Sequence, residues 1–104
     1  MIDTAHPEDI LVVGWLKQAE QYPQFRGRQV VSTNSTQILH GRRIRRAYLA
    51  PGCGNTPHGE EFFAVLRAHV HTRGTSMRSA RDFEADYLED ELAELFAAEE
   101  SVNL

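Results

Sequence analysis

Cys53 and His58 are the residues whose types best suit covalent chemistry. The thiol sits in Pro51-Gly52-Cys53-Gly54-Asn55, just ahead of a helix start signalled by Thr56-Pro57. Amides at a helix N-terminus favour a thiolate, and a nearby histidine can serve as its base. Nothing in the chain fixes a third group to orient His58, and the turn alone accounts for the glycines and proline. A Cys53-dependent enzyme therefore ranks last of three functional readings. His69-Val70-His71 has the spacing of two metal ligands only on a strand, where alternate side chains share a face. On a helix the two point roughly 160–200° apart, with His69 joining Phe62 and Leu66 on the apolar side. His40, His58 or Cys53 would have to complete such a site, and no metal is expected. Gly52-x-Gly54 lacks the rest of any dinucleotide or phosphate-loop fingerprint, so no cofactor is expected either.

Charge is the stronger signal. Ten of the eleven basic residues are arginine. GC-rich coding can account for the residue type but not for its placement. Residues 21–51 hold six arginines (Arg26, Arg28, Arg42, Arg43, Arg45, Arg46) and no acid, while residues 82–100 hold nine acids and no base. The net charge of −4 thus hides a cationic middle and an anionic end. Planar guanidinium forks bind phosphate and carboxylate, and packed like charges are more stable when an anion covers them. Three covers are possible: an acidic partner protein, nucleic acid, or the chain's own acidic last helix folded back. The pI of 5.7 weighs against nucleic acid, whose binding domains are mostly basic overall.

The acidic segment carries its own pattern. At helical spacing Leu88, Leu92, Leu95 and Phe96 form one apolar stripe, expected to dock on the body of the domain. Phe83 and Tyr87, one turn apart, project elsewhere among Glu84, Asp90, Glu91 and Glu94. Aromatics on a charged face have the character of interface anchors.

The elements that must position these residues follow from periodicity and punctuation. Pro7 with Glu8 and Asp9 suits a helix start, and Leu11, Val12, Trp15, Leu16, Ala19 and Tyr22 share one helical face up to Pro23. A short buried strand over residues 10–13 is the alternative. Residues 29–33 and 36–39 are rich in β-branched side chains, and His40-Gly41 separates them from residues 43–49. This order predicts an antiparallel β-hairpin or three-stranded meander presenting the arginines. A helix from Thr56-Pro57 to Gly74 follows, then a polar stretch, then a last helix capped by Ser79.

The expected architecture is α+β: a helix, an antiparallel hairpin or meander, then two helices packed on one side of the sheet. An all-α arrangement is the alternative. Residues 1–104 make a single small domain with frayed ends at about 1–5 and 100–104. No basic stretch precedes an apolar run at the N-terminus, the longest apolar stretch is too short to span a bilayer, and a lone cysteine excludes an internal disulfide. A cytoplasmic protein with no membrane partner is expected. The leading reading is a non-catalytic regulator or inhibitor acting through protein–protein contact. Its expected surfaces are Arg42, Arg43, Arg45, Arg46, Arg26 and Arg28 on the hairpin and Phe83 and Tyr87 on the last helix, with a homodimer possible through the aromatics. The alternative is a nucleic-acid-binding protein using the same arginines on phosphates.

Overall fold

In the computed structural model, which describes residues 3–35 and 39–102, the chain combines two α-helices with a four-stranded sheet. The strands are β1 (Ile10–Val13), β2 (Val30–Ser32), β3 (Arg46–Leu49) and β4 (Ser76–Ser79). The helices are α1 (Gly59–Arg73) and α2 (Phe83–Val102). The sheet runs in the order β2-β1-β3-β4, and every pair is parallel.

This corrects the expected antiparallel hairpin or meander. Segments 29–33 and 43–49 do contain strands, but they never pair with each other; each pairs with β1, which lies between them. The expected strand at 36–39 falls outside the described residues except for Leu39, which is buried at the start of an exposed turn. Gly41 adopts φ 68°, so its freedom is used in that turn rather than in a hairpin.

The expected first helix is replaced by β1, with only a 3₁₀ segment at Leu16–Gln21. All four β1 residues are buried, which is the mark of a central strand covered on both faces. Ile10 and Val12 point to one layer with Val31, Leu39, Ile44, Phe62 and Leu66. Leu11 and Val13 point to the other, with Phe25, Tyr48, Ala80 and Phe83. The two helices therefore cover opposite faces of the sheet, not one side. The β1–β2 connection shares a face with the start of α2, whereas the connections that move toward β4 share the face of α1. A single hand of crossover requires this split.

Helix α1 starts later than Thr56-Pro57 suggests, with His58 as its N-cap, and ends where Gly74 takes a left-handed φ of 71°. Its start is pressed onto the preceding turn: a Cβ on Gly59 would run into the carbonyl of Gly54. The polar stretch before the last helix is β4, an exposed edge strand. Ser79 accepts a hydrogen bond from the Arg81 amide and opens a 3₁₀ turn that leads into α2.

Candidate functional site

Parallel pairing of β1 with β3 brings Asp9, just before β1, beside the start of β3. Asp9 is fully buried, and its carboxylate accepts from Arg45 Nε at 2.9 Å, Arg45 Nη2 at 2.8 Å and the Arg46 amide at 3.1 Å. The Tyr87 hydroxyl donates to the same carboxylate and accepts from the His6 amide. Arg46 forks onto Asp90 of α2 at 2.9 and 3.0 Å, and Arg45 Nη2 lies 3.5 Å from the same carboxylate. One turn earlier Asp86 accepts from Arg78 at 3.0 and 2.9 Å and from the Tyr48 hydroxyl at 3.1 Å. The result is a continuous network of alternating charge that pins the first turns of α2 to β1, β3 and β4.

The titration behaviour follows from these partners. The hydrogen bonds from Arg78 hold Asp86 below the usual carboxylate range, and those from Arg46 do the same for Asp90. Burial pushes the Tyr48 phenol up to about 12. Burial, then the bond to Asp9, pushes Tyr87 up as well.

Of the six clustered arginines, then, Arg45 and Arg46 are engaged inside the fold, and residues 42–46 do not form one outward cationic surface. The acidic last helix covers part of the cluster itself. Arg26, Arg28 and Arg43 are exposed. Arg42 is half-buried, and burial followed by the charge of Arg28 lowers its pKa.

Of the aromatics expected outside, Phe83 is buried and Tyr87 is half-buried against it. Phe83 is 2% exposed, with ring centroids 4.9 Å from Phe25, 5.3 Å from Tyr48 and 4.4 Å from Tyr87. The Arg45 guanidinium lies 5.7 Å from the centre of the Tyr87 ring. The docked face of α2 is therefore Phe83, Asp86, Tyr87 and Asp90, a proper i, i+3, i+4, i+7 set. The leucine stripe expected to dock is left outside, with Leu88 55%, Leu92 45%, Leu95 62% and Phe96 63% exposed. From Glu91 to Ala98 every residue is exposed, on all sides of the helix, so this stretch stands clear of the sheet.

At 100° per residue the leucines lie opposite the docked face, with Glu84 and Glu91 along one edge and Glu89 along the other. The arrangement is poor for a helix standing alone. Acids spaced three and four apart repel, as at Asp90, Glu91 and Glu94, and no base in the last turn offsets the negative end of the helix dipole. An apolar, acid-edged helix face is thus presented on a segment that the rest of the fold does not support. The sequence held both of its parts, the stripe and the acids, but its periodicity assigned the stripe to the body, which takes the opposite face.

The carboxyl ends of β1 and β3, where α/β sheets often hold ligands, are filled by the chain itself. The Gln18 side chain accepts from the Gly14 amide at 2.9 Å and donates to the Pro51 carbonyl at 3.0 Å. Thr33 donates to the Cys53 carbonyl at 2.8 Å and shares a hydrogen bond with Thr56. Cys53 is buried, and burial pushes its thiol up, away from the thiolate that a nucleophile needs. His58 lies 3.6 Å from Glu61 at the surface. His69 is buried beside Phe62 and Leu66, while His71 is exposed. No group of metal-binding side chains assembles among the described residues. Comparison with protein-family models, curated proteins and solved structures finds no match for this chain.

Proposed function

We propose that this chain is a non-catalytic protein-binding module whose docking element is the leucine face of α2. Its partner presents an apolar strip edged with arginine or lysine, as an amphipathic helix or a groove. The reading rests on one observation: four large apolar side chains stand 45–63% exposed along one face of a helix that carries no base. A contiguous apolar patch of this kind, rimmed by charge, is the usual mark of a contact site. Charge selects the occupant. A second copy of α2 would set its glutamates against these glutamates, whereas a basic-edged strip neutralises them and closes over the leucines. Such a module regulates by occupying a basic segment of its partner. Among the described residues no helix is long and apolar enough to cross a membrane, and an acid-edged helix is repelled by anionic lipid.

Two synthetic amphipathic peptides with the same leucine spacing, one edged with arginine and lysine and one with glutamate, test the reading by titration. The basic peptide should bind, weaken as salt is raised, and lose at least about tenfold in affinity to a Leu92→Glu, Leu95→Glu variant. Equal binding of both peptides, or binding that survives the double substitution, would remove it. So would failure of the basic peptide to bind.

A further inference from the structure

The order β2-β1-β3-β4 leaves the sheet with two edges, and they differ. In β2 the middle residue is buried and the outer two are half-buried, whereas all four residues of β4 are exposed. The ladder to β3 uses only half of the β4 backbone. Ser76 donates its amide to the Arg45 carbonyl at 3.0 Å, so Ser76 and Arg78 turn their main-chain groups toward β3. Met77, between them, turns its N–H and C=O outward, where nothing among the described residues meets them. Such an open edge is a template for another strand, and folded proteins commonly guard it with a charge. The one charge on β4 does not serve: Arg78 is folded onto α2, 3.0 and 2.9 Å from Asp86 and 3.7 Å from Asp82. Met77 pairs with Ala47 of the layer under α1, and Arg78 with Tyr48 of the layer under α2. Met77, 38% exposed, is thus the apolar side chain at the open edge on the α1 face, while Ser76 and Arg78 share the α2 face.

We infer that β4 pairs antiparallel with β4 of a second copy of this chain, about a two-fold axis at Met77, so that the two sheets become one. The strand's own residues select this occupant. On that axis Met77 meets Met77 and exchanges both outward main-chain hydrogen bonds with it, and the two thioether side chains cover each other. Arg78 then faces Ser76 of the second copy, so no like charges stand directly opposite, and each Arg78 keeps its own carboxylates. An axis one residue further along would set the two Arg78 side chains face to face. Arg81, just past the strand, lies beside Tyr22 and Glu84 instead of the edge. This contact owes nothing to the leucine face of α2 and stands or falls apart from it.

Sedimentation of the full chain at rising concentration should show a reversible dimer by about 1 mM, as suits a contact smaller than a standard interface. Met77→Pro removes the outward N–H without touching the ladder to β3, a position where an edge strand tolerates proline. Met77→Arg keeps the strand and places like charges on the axis. Each should weaken the dimer at least about tenfold, and the Met77→Arg chain should stay folded by circular dichroism. Leu92→Glu, Leu95→Glu should leave the dimer intact. Amide exchange supplies a second readout: the Ser76 amide should be protected at every concentration, and the Met77 amide should exchange fast in dilute solution and slowly once the dimer forms. A chain still monomeric at about 1 mM, a dimer that survives Met77→Arg or is lost in the leucine variant, or a Met77 amide indifferent to concentration would overturn the inference. So would a monomer whose Met77 amide slows only when an extended peptide of alternating valine and threonine is added, which would give the edge to a different partner.

Discussion

The first two turns of α2 and the turns that follow are built from the same materials, acids and large apolar side chains, and meet opposite fates. Asp86 and Asp90 lie against Arg78 and Arg46, and Phe83 and Tyr87 are packed in an aromatic cluster. Glu91 and Glu94 face water, and Leu92, Leu95 and Phe96 are left bare. The difference lies along the helix, in what the sheet offers each turn. Where the sheet offers a guanidinium, an acid can sit on the buried side of a helix and aromatic rings can follow it in. Where the sheet has ended, the same composition remains a surface.

This contrast can be broken at graded strengths. The largest effect is expected from Asp9→Ala, which strips Arg45, the Arg46 amide and Tyr87 of a shared partner inside the fold. Urea denaturation should show a loss of about 3–5 kcal/mol, against less than about 0.5 kcal/mol for Glu91→Ala on the free half. Phe83→Ala comes next, at about 3–4 kcal/mol for a fully packed ring, while Leu95→Ala should leave the stability of the isolated chain within about 0.5 kcal/mol. If Leu95→Ala costs as much as Phe83→Ala, the two halves are not different and the comparison fails.

Acid and alkali should act on the docked half in opposite directions of titration. The folded-state pKa values of Asp86 and Asp90 lie below their ordinary values. Their contribution is therefore complete above about pH 4 and lost as pH falls through the folded values. Tyr48 is the reverse case: its folded pKa of about 12 exceeds the ordinary value of about 10. Its contribution is complete below about pH 10 and lost as pH climbs toward 12. Thermal melts across both ranges should show the two shoulders, and Asp86→Asn should diminish the acid one. The smallest effect belongs to the free half. Salt screens repulsion among its glutamates, so far-UV helicity should rise slightly with ionic strength, by a few tenths of a kcal/mol per relieved pair.

Much of the fold could be read from local punctuation. The strand around Val30-Val31-Ser32, the turn at Pro51-Gly52, the stop at Gly74 and the cap at Ser79 all stand close to where composition puts them. Residues 10–13 fit two periods at once. The helical stripe from Leu11 to Tyr22 outweighed the alternative of a short buried strand at residues 10–13, and that alternative is what the structure has, as the central parallel strand β1. Pairing direction is carried by no single strand, so β2 and β3 looked like neighbours until β1 came between them. The edge strand β4 is wholly exposed and has no apolar pattern to read.

The site was legible in its ingredients and not in its orientation. Hydrophobic periodicity counts Leu88, Leu92 and Leu95 as the buried face because it gives no weight to an acid with a buried partner. Asp86 and Asp90 reverse that rule here. Neutralisation of the arginine cluster by the acidic helix was one of three covers the charge pattern allowed, and it holds for Arg45 and Arg46. Asp9, the residue that ties the network together, looked like an ordinary first-turn acid.

Residue-resolved hydrogen exchange along α2, with and without the basic amphipathic peptide, tests the central claim most directly. Amides in the docked turns up to Asp90 should be protected in both states, and those from Glu91 to Ala98 should exchange fast alone and slow markedly once the peptide is bound. Unchanged exchange from Glu91 to Ala98 with the peptide bound, or protection appearing elsewhere on the molecule, would contradict it.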